Sequence, residues 1–176
     1  MHGSDYSGEE CAGWVGQRKW NGVFAGWDGE RLWTREGNVI PAPEFFTQGL
    51  PDFPLVCELT DEKEGANFAN GLIKQKGNPG RWEKALLHIF DAPHAEGGGV
   101  RERLAAAFHE NGCLYAFDVD CFVVKSRADL GVQLRGALAL GYEGLMIQPA
   151  HNPYVAGRTR RLLKVTRASL HFFQST

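Results

Sequence analysis

Residues 23–38 read VFAGWDGERLWTREGN, and this stretch decides the fold class. Apolar residues stand on both sides of Asp28-Gly29, and an Asp-Gly pair favours the positive φ angles that a tight two-residue turn needs. The stretch therefore predicts a β-hairpin with strands at 23–27 and 31–34. The tripeptide EGN at 36–38 predicts a second turn. The ordered part of the chain thus begins with antiparallel strands joined by short turns.

The rest of the chain intersperses helices among further strands. Apolar runs predict strands at 55–59, 85–91, 114–124, 144–148 and 161–166. Helical periodicity with start and stop residues predicts a helical turn at 44–48 and helices at 67–76, 100–111 and 126–140. In the helix at 100–111, Leu104, Ala107 and Phe108 mark the buried face. This mixture predicts an α+β fold with largely antiparallel sheets rather than a doubly wound parallel fold.

Length and charge constrain the organisation and the partners. The chain has 176 residues, which fits one domain. Residues 1–12 are polar and acidic, so we expect a flexible tail there and a single domain at 13–176. Because the formal net charge is -2, binding to nucleic acid requires a local basic patch. One cluster of cations fits either a solvated basic face or a phosphate-contacting strip. It consists of Arg158, Arg160, Arg161, Lys164 and Arg167.

Neither a signal peptide nor a transmembrane segment is predicted. The first residues lack a basic end followed by an apolar stretch, and no apolar run approaches membrane-spanning length. The cysteines at 11, 57, 113 and 121 form no C-x-x-C pair and have no zinc-finger spacing. Cys57, Cys113 and Cys121 stand in apolar runs, which is typical of buried thiols in a reducing compartment, so we expect a cytoplasmic protein.

Short segments spread along the chain carry the candidate reactive residues. They are KWNG at 19–22, REG at 35–37, LVCEL at 55–59, EGLM at 143–146 and LLKV at 162–165. In this order and spacing they resemble the motif set of the covalent nucleotidyltransferases, which comprise ATP-dependent DNA ligases, RNA ligases and mRNA capping enzymes. FDAP at 90–93 resembles their base-stacking motif, and YVAGR at 154–158 resembles the link between their last two motifs. The flanking residues resemble small bacterial and viral DNA ligases most.

The resemblance implies both a fold and a reaction. The fold is the ATP-grasp-like nucleotidyltransferase domain of DNA ligases and capping enzymes, with two largely antiparallel β-sheets flanked by helices. Lys19 would attack the α-phosphate of ATP, release pyrophosphate and form a covalent lysyl-AMP. Glu143 would bind Mg2+, and Lys164 would contact the α-phosphate. A lysine must lose its proton to attack, and the positive charges of Lys164 and Mg2+ would favour that loss.

The same resemblance assigns further residues to ATP binding. Arg35 and Glu58 would hold the ribose hydroxyls, and Phe90 would stack on the adenine. Gly22 and Gly144 would let the backbone approach the nucleotide closely. On sequence alone Phe90 also fits a core residue and Glu58 a solvated edge residue, so only the joint pattern favours the site.

The motif set departs from the family at several positions. Asn21 and Phe24 replace the Asp and Arg of the family's K-x-D-G-x-R. An aromatic ring cannot make the bidentate phosphate contact of an Arg, although it can stack on a base. Thr166 replaces the second Lys of the final motif, and Arg18 stands where DNA ligases often have Glu. The family carries an OB-fold domain after that motif, and we expect no OB-fold domain within the 176 residues.

Taken together, the motifs predict an ATP-dependent DNA-ligase-like adenylyltransferase that joins nucleic-acid strands in DNA replication and repair. The expected partner is nicked duplex DNA, with RNA as a second choice, and a partner protein would supply the OB-fold function. The alternative, favoured by Phe24 and Thr166, is a catalytically reduced ligase-like module that binds nucleotide, nicked DNA or a protein partner without sealing. An RNA ligase or a GTP-using capping enzyme is a third hypothesis.

Overall fold

The computed structural model describes residues 2–74, 79–93 and 98–174. The strands in chain order are β1 (His2–Asp5), β2 (Val15–Lys19), β3 (Val23–Trp27), β4 (Leu32–Trp33), β5 (Val39–Ile40), β6 (Leu55–Thr60), β7 (Leu86–Asp91), β8 (Ala116–Asp118), β9 (Cys121–Val123), β10 (Gly144–Gln148) and β11 (Arg158–Thr166). The helices are α1 (Glu44–Thr47), α2 (Ala66–Lys74), α3 (Pro79–Trp82), α4 (Val100–Glu110) and α5 (Arg127–Ala139), followed by a 3₁₀ helix at Arg167–Phe173. Within the described ranges, no helix is long and apolar enough to cross a bilayer.

The chain divides into two compact units. Unit 1 contains residues 1–20, 97–101 and 120–176, and unit 2 contains residues 21–96 and 102–119. Each unit has its own β-sheet. The prediction of one domain over residues 13–176 stays a prediction.

The sheet of unit 1 has the strand order β1-β11-β10-β2-β9. The β1–β11 pair is parallel and the other pairs are antiparallel. Ser126 is the N-cap of helix α5, and its side chain accepts a hydrogen bond from the Asp129 N–H, as the sequence predicts. Leu130 and Leu134 of α5 pack with Leu145 and Leu163 of the sheet in one buried cluster. One face of this sheet is therefore covered by its own helix.

The sheet of unit 2 has the order β5-β4-β3-β6-β7-β8, with only the β7–β8 pair parallel. Alternate residues of its central strands are fully buried: Ala25, Cys57, Leu59, Leu87 and Ile89. The predicted α+β fold with two largely antiparallel sheets flanked by helices is therefore confirmed.

The predicted hairpin forms, but its turn is longer than expected. Gly26 pairs with Trp33 and Trp27 with Leu32, which leaves residues 28–31 in the loop. Gly29 alone takes a positive φ there, at 104°. The Asp28 carboxylate instead accepts hydrogen bonds from the N–H groups of Glu30 and Arg31, at 2.8 and 2.7 Å. A side-chain cap thus replaces the second positive φ of a two-residue turn.

Two other predictions differ from the structure. The strand predicted at 114–124 is two strands, because β8 pairs with β7 in unit 2 whereas β9 pairs with β2 in unit 1. The helix predicted at 67–76 is described as Ala66–Lys74, and residues 75–76 lie outside the described ranges.

The N-terminal residues are ordered rather than a flexible tail. His2–Asp5 pairs with β11, and Tyr6 is 4% exposed. The Tyr6 ring contacts Phe172 and Phe173, with ring centroids 5.4 and 5.6 Å away. Because pairing and aromatic packing stabilise this strand, composition alone does not reveal it.

Candidate active site

Lys19 is the last residue of β2 and lies beside Glu143. The Glu143 N–H donates to the Lys19 carbonyl at 2.9 Å, and the Lys19 ammonium forms an ion pair with the Glu143 carboxylate. The Lys19 and Glu143 side chains are 24% and 40% exposed. The predicted nucleophile and the predicted metal ligand are therefore joined through both main chain and side chain.

Lys164 lies on the same sheet face as Lys19. Lys19 pairs with Gly144, and Gly144 pairs with Thr166. In the next row Met146 pairs with Lys164. Directly paired residues, and those two apart, share a face of a sheet. This face is opposite the one that Leu145 and Leu163 present to α5, so α5 does not cover the two lysines.

Asp5 binds the Lys164 side chain. Lys164 Nζ lies 3.0 Å from Asp5 Oδ1, and the Asp5 side chain is 84% exposed. Sequence reasoning missed this neighbour because it treats residues 1–12 as a tail. The parallel register of β1 on β11 pairs Asp5 with Lys164 directly.

The structure explains two departures from the motif pattern. Thr166 is the N-cap of the 3₁₀ helix, where its hydroxyl and the Ser169 side chain form a reciprocal capping box. Arg18 lies on the opposite face from Lys19. Its guanidinium lies 5.0 Å from the Tyr142 ring centroid and donates to the Tyr142 hydroxyl at 3.3 Å. Thr166 thus lies on the Lys19 face but brings no positive charge there, and Arg18 lies on the other face.

In unit 2, Gly22 holds the Glu58 carboxylate. The Gly22 N–H donates to Glu58 Oε1 at 3.1 Å. A Cβ on Gly22 would lie 2.5 Å from the Leu59 carbonyl oxygen and 2.6 Å from Glu58 Cγ. Gly22 is therefore required by the close approach of β6. Glu58 is half-buried, which differs from a solvated edge residue.

Phe24 and Arg35 form a cation–π pair beside Glu58. Phe24 pairs with Glu58 across β3 and β6, and the Arg35 guanidinium carbon lies 5.2 Å from the Phe24 ring centroid. The ring lies over Gly26, because a Cβ there would meet it at 3.4 Å. The departure at Phe24 thus places an aromatic platform under Arg35.

Phe90 and His88 lie on β7, next to the strand that carries Glu58. Phe90 is half-buried. His88 pairs with Glu58 and is 5% exposed. Burial lowers the pKa of His88 from its ordinary 6.5 to about 4, so the imidazole is neutral near neutral pH. The sequence does not single out His88, because it has no ligand spacing to another histidine.

Both the backbone conformation and the close packing at residue 144 require glycine. Its φ is 151°, and a Cβ would lie 2.2 Å from the Val165 carbonyl oxygen. The close approach of β11 to its antiparallel neighbour β10 therefore requires glycine here, apart from any approach to a nucleotide.

The predicted residues thus form two groups. Within unit 1 the structure brings together Lys19, Glu143, Gly144 and Lys164. Within unit 2 it brings together Gly22, Glu58 and, through Phe24, Arg35, with Phe90 on the adjacent strand.

Comparison with known proteins agrees with this fold and motif set. No family model matches the sequence. A structure of a Lig E DNA ligase has a TM-score of 0.84 and 26% identity, covering 95% of this chain and 68% of that chain. Chlorella virus DNA ligase-adenylate has a TM-score of 0.78 and 15% identity, covering 94% of this chain and 67% of that one. Bacteriophage T7 ATP-dependent DNA ligase, in complex with ATP, has a TM-score of 0.65 at 16% identity.

Fold and motifs define the class: the chain resembles the adenylation domain of ATP-dependent DNA ligases, within the covalent nucleotidyltransferase superfamily. In particular, it is 31% identical over 166 residues to a DNA ligase of Haemophilus influenzae. That alignment covers 93% of this chain and 61% of the relative, so the chain spans about three fifths of the relative's length.

Proposed function

We propose that this chain is an ATP-dependent DNA-ligase-like adenylyltransferase that forms lysyl-AMP on Lys19. The observation that carries the proposal is the placement of Lys19 at the end of β2, paired with Glu143. Lys164 on the same sheet face supplies a second cation for the phosphate. The 31% identity to a DNA ligase supports the same reaction class.

The residues of unit 1 would carry the group transfer. Lys19 Nζ would form a bond to the α-phosphorus while the bond from phosphorus to the pyrophosphate oxygen breaks. Lys19 must first leave its ion pair with Glu143 and lose its proton to solvent. Lys164 would exchange Asp5 for an α-phosphate oxygen and so neutralise developing charge.

Glu143 fits Mg2+ as a cofactor delivered with ATP. Among residues of the described ranges, no group of three or more His, Cys, Asp or Glu could hold a metal ion. Mg2+ commonly binds through one or two carboxylates together with substrate phosphates, and Glu143 presents one such partly exposed carboxylate. Bound there, the ion would neutralise charge on the triphosphate.

The residues of unit 2 would bind the nucleoside of ATP. Glu58, fixed by the Gly22 N–H, would accept hydrogen bonds from the ribose hydroxyls. Arg35, stacked on Phe24, would act beside it. Phe90 would stack on the adenine.

We propose nicked duplex DNA as the acceptor. Arg158, Arg160, Arg161 and Arg167 are exposed, and a strip of exposed arginines suits backbone phosphates. A related Lig E DNA ligase is described as binding DNA with a minimal scaffold. The proposal of DNA is based on sequence similarity and on charge, and RNA carries the same backbone charge. A binding assay with nicked DNA should therefore include RNA as a competitor.

The direct test is covalent labelling. The protein is incubated with α-labelled ATP or GTP and Mg2+, denatured and separated on a gel. We expect a label from ATP that survives denaturation and is absent from both Lys19→Ala and Lys19→Arg, because arginine keeps the charge but cannot attack. A label from GTP alone would indicate capping-enzyme chemistry, and an undiminished label in Lys19→Ala would contradict the proposal.

A reduced binding module is the second candidate, and two observations favour it. Phe24 occupies the place of a phosphate-binding Arg, and the Thr166 hydroxyl is engaged in a helix cap. This candidate predicts no covalent label, together with retained binding of nicked DNA in a gel-shift assay. The same two assays therefore separate the candidates.

A further inference from the structure

Phe90 is the inserted residue of a β-bulge. Ile89 pairs with Cys57 whereas Asp91 pairs with Val56, so β7 carries one more residue than β6 between these pairs. A bulge re-aims the side chain it carries, and bulges are frequent beside active sites. The direction of the Phe90 ring therefore depends on what holds this bulge in place.

A buried ion pair holds the residue after Phe90. Arg103 Nε donates to Asp91 Oδ1 at 2.6 Å, and Arg103 Nη2 donates to Asp91 Oδ2 at 2.8 Å. The Ala92 N–H also donates to Asp91 Oδ1, at 2.9 Å. The Arg103 and Asp91 side chains are only 3% and 7% exposed. Three hydrogen bonds thus fix the strand at the point where it leaves the bulge.

Stability alone explains this pair poorly. Replacing a buried ion pair with apolar residues of similar size is often neutral or stabilising, because desolvation offsets the Coulomb attraction. Arg103 lies in the buried stripe of α4 with Leu104 and Ala107, where an apolar side chain would also pack. An apolar pair would lack the directional hydrogen bonds that join α4 to residue 91 and residue 91 to the Ala92 N–H.

We propose that Asp91 and Arg103 are positioning residues for base recognition. They hold the bulge so that the Phe90 ring faces the adenine, and neither contacts ATP itself. The inference rests on the proposed function, in which Phe90 is the stacking residue.

The test is a double-mutant cycle on equilibrium binding. The variant Asp91→Leu/Arg103→Met is compared with the parent protein, in the wild-type and Phe90→Ala backgrounds, using ATP and inorganic tripolyphosphate as probes. We expect about a tenfold loss of ATP affinity in the wild-type background, the size of one lost base–aromatic stack. With Phe90→Ala we expect less than about a twofold further change, because the ring that the pair positions is already gone. Tripolyphosphate, which has no base, should bind equally to all four proteins.

Fold controls keep the result interpretable. Leu104→Ala removes a buried neighbour on α4 without touching Asp91, so it should lower the melting temperature and leave the ATP affinity unchanged. If the apolar pair does not fold, Asp91→Asn/Arg103→Met replaces it in the same cycle, since this pair removes the charges and the hydrogen bonds from residue 103.

Equal losses of ATP affinity in both backgrounds, no loss in the wild-type background, or a parallel loss of tripolyphosphate affinity would overturn this inference alone. A wild-type protein that does not bind ATP would overturn the proposed function together with it.

Discussion

At the residue scale, the position of Glu58 depends on the missing side chain of Gly22. A Cβ at Gly22 would lie within 2.6 Å of both Leu59 and Glu58 atoms. We expect Gly22→Ala to lower the free energy of unfolding by about 1–3 kcal/mol, the usual cost of overpacking. It should also weaken ATP binding, because the carboxylate must move. Urea unfolding and equilibrium ATP binding measure the two effects.

Gly136 provides the matched control for this substitution. It lies in α5, and a Cβ there would meet nothing within 4 Å. Gly136→Ala should therefore be neutral or stabilise by up to about 1 kcal/mol, with ATP binding unchanged. Similar behaviour of the two alanine variants would contradict the crowding argument.

His88 gives the protein a pH-dependent stability. The folded protein keeps this imidazole neutral, with a pKa of about 4 against an ordinary 6.5. Below pH 6.5 the unfolded chain therefore binds a proton that the folded chain does not, and stability is lost as the pH falls toward 4. Between pH 7 and pH 5 the loss from this one group is about 2 kcal/mol.

His88→Leu should remove that part of the pH dependence. Urea unfolding at pH 7 and pH 5 should show a smaller loss of stability on acidification in the variant than in the wild type. His171→Leu changes an exposed histidine and should leave the loss unchanged. Equal losses in wild type and His88→Leu would show that the buried imidazole is not the cause.

How far the sequence predicts single residues depends on what each one contacts. The motif pattern predicts Lys19, Glu143 and Lys164, and the structure brings these three together in unit 1. It does not predict Asp5, because Asp5 reaches Lys164 only through the parallel register of β1 on β11. Strand pairing alone brings Asp5 to Lys164, and neither composition nor local periodicity predicts that pairing.

At the element scale, β11 and the helix after it separate two cations that are close in sequence. Lys164 lies in the strand on the Lys19 face, whereas Arg167 begins the 3₁₀ helix and is exposed. We expect Lys164→Ala to slow labelling with ATP by about tenfold or more, since it removes a charge at the phosphate. Arg167→Ala should change the labelling rate by less than about twofold. Equal effects of the two substitutions would count against placing Lys164 at the α-phosphate.

Helix α4 shows why the buried face of an element is hard to predict. Apolarity selects Leu104, Ala107 and Phe108, but Phe108 is 65% exposed and Arg103 is 2% exposed. The prediction for Phe108 is wrong, because the buried stripe at i, i+3, i+4 and i+7 includes the charged Arg103. The partner Asp91, on β7, makes an arginine acceptable in that stripe.

Strand boundaries follow the same logic. Residues 114–124 are apolar enough to predict one strand, yet the structure divides them between β8 and β9. Pairing partners in different sheets determine this division, and apolar runs carry no information about partners. The hairpin at 23–34 is predicted well because its strands and its turn are neighbours in sequence.

At the scale of the whole molecule, each unit positions the proposed site residues that its own sheet carries. Unit 1 would supply the nucleophile and the phosphate contacts, and unit 2 would supply Glu58, Arg35 and Phe90 for the nucleoside. The motif order along the chain makes this assignment possible from sequence. The proposed reaction is testable through its product on Lys19.

Intact mass spectrometry followed by peptide mapping tests this claim most directly. After incubation with ATP and Mg2+, we expect a mass increase of one AMP group per chain, located on the peptide that contains Lys19 and lost on addition of excess pyrophosphate. A protein whose mass does not change, or an AMP group located on any other residue, would contradict the account.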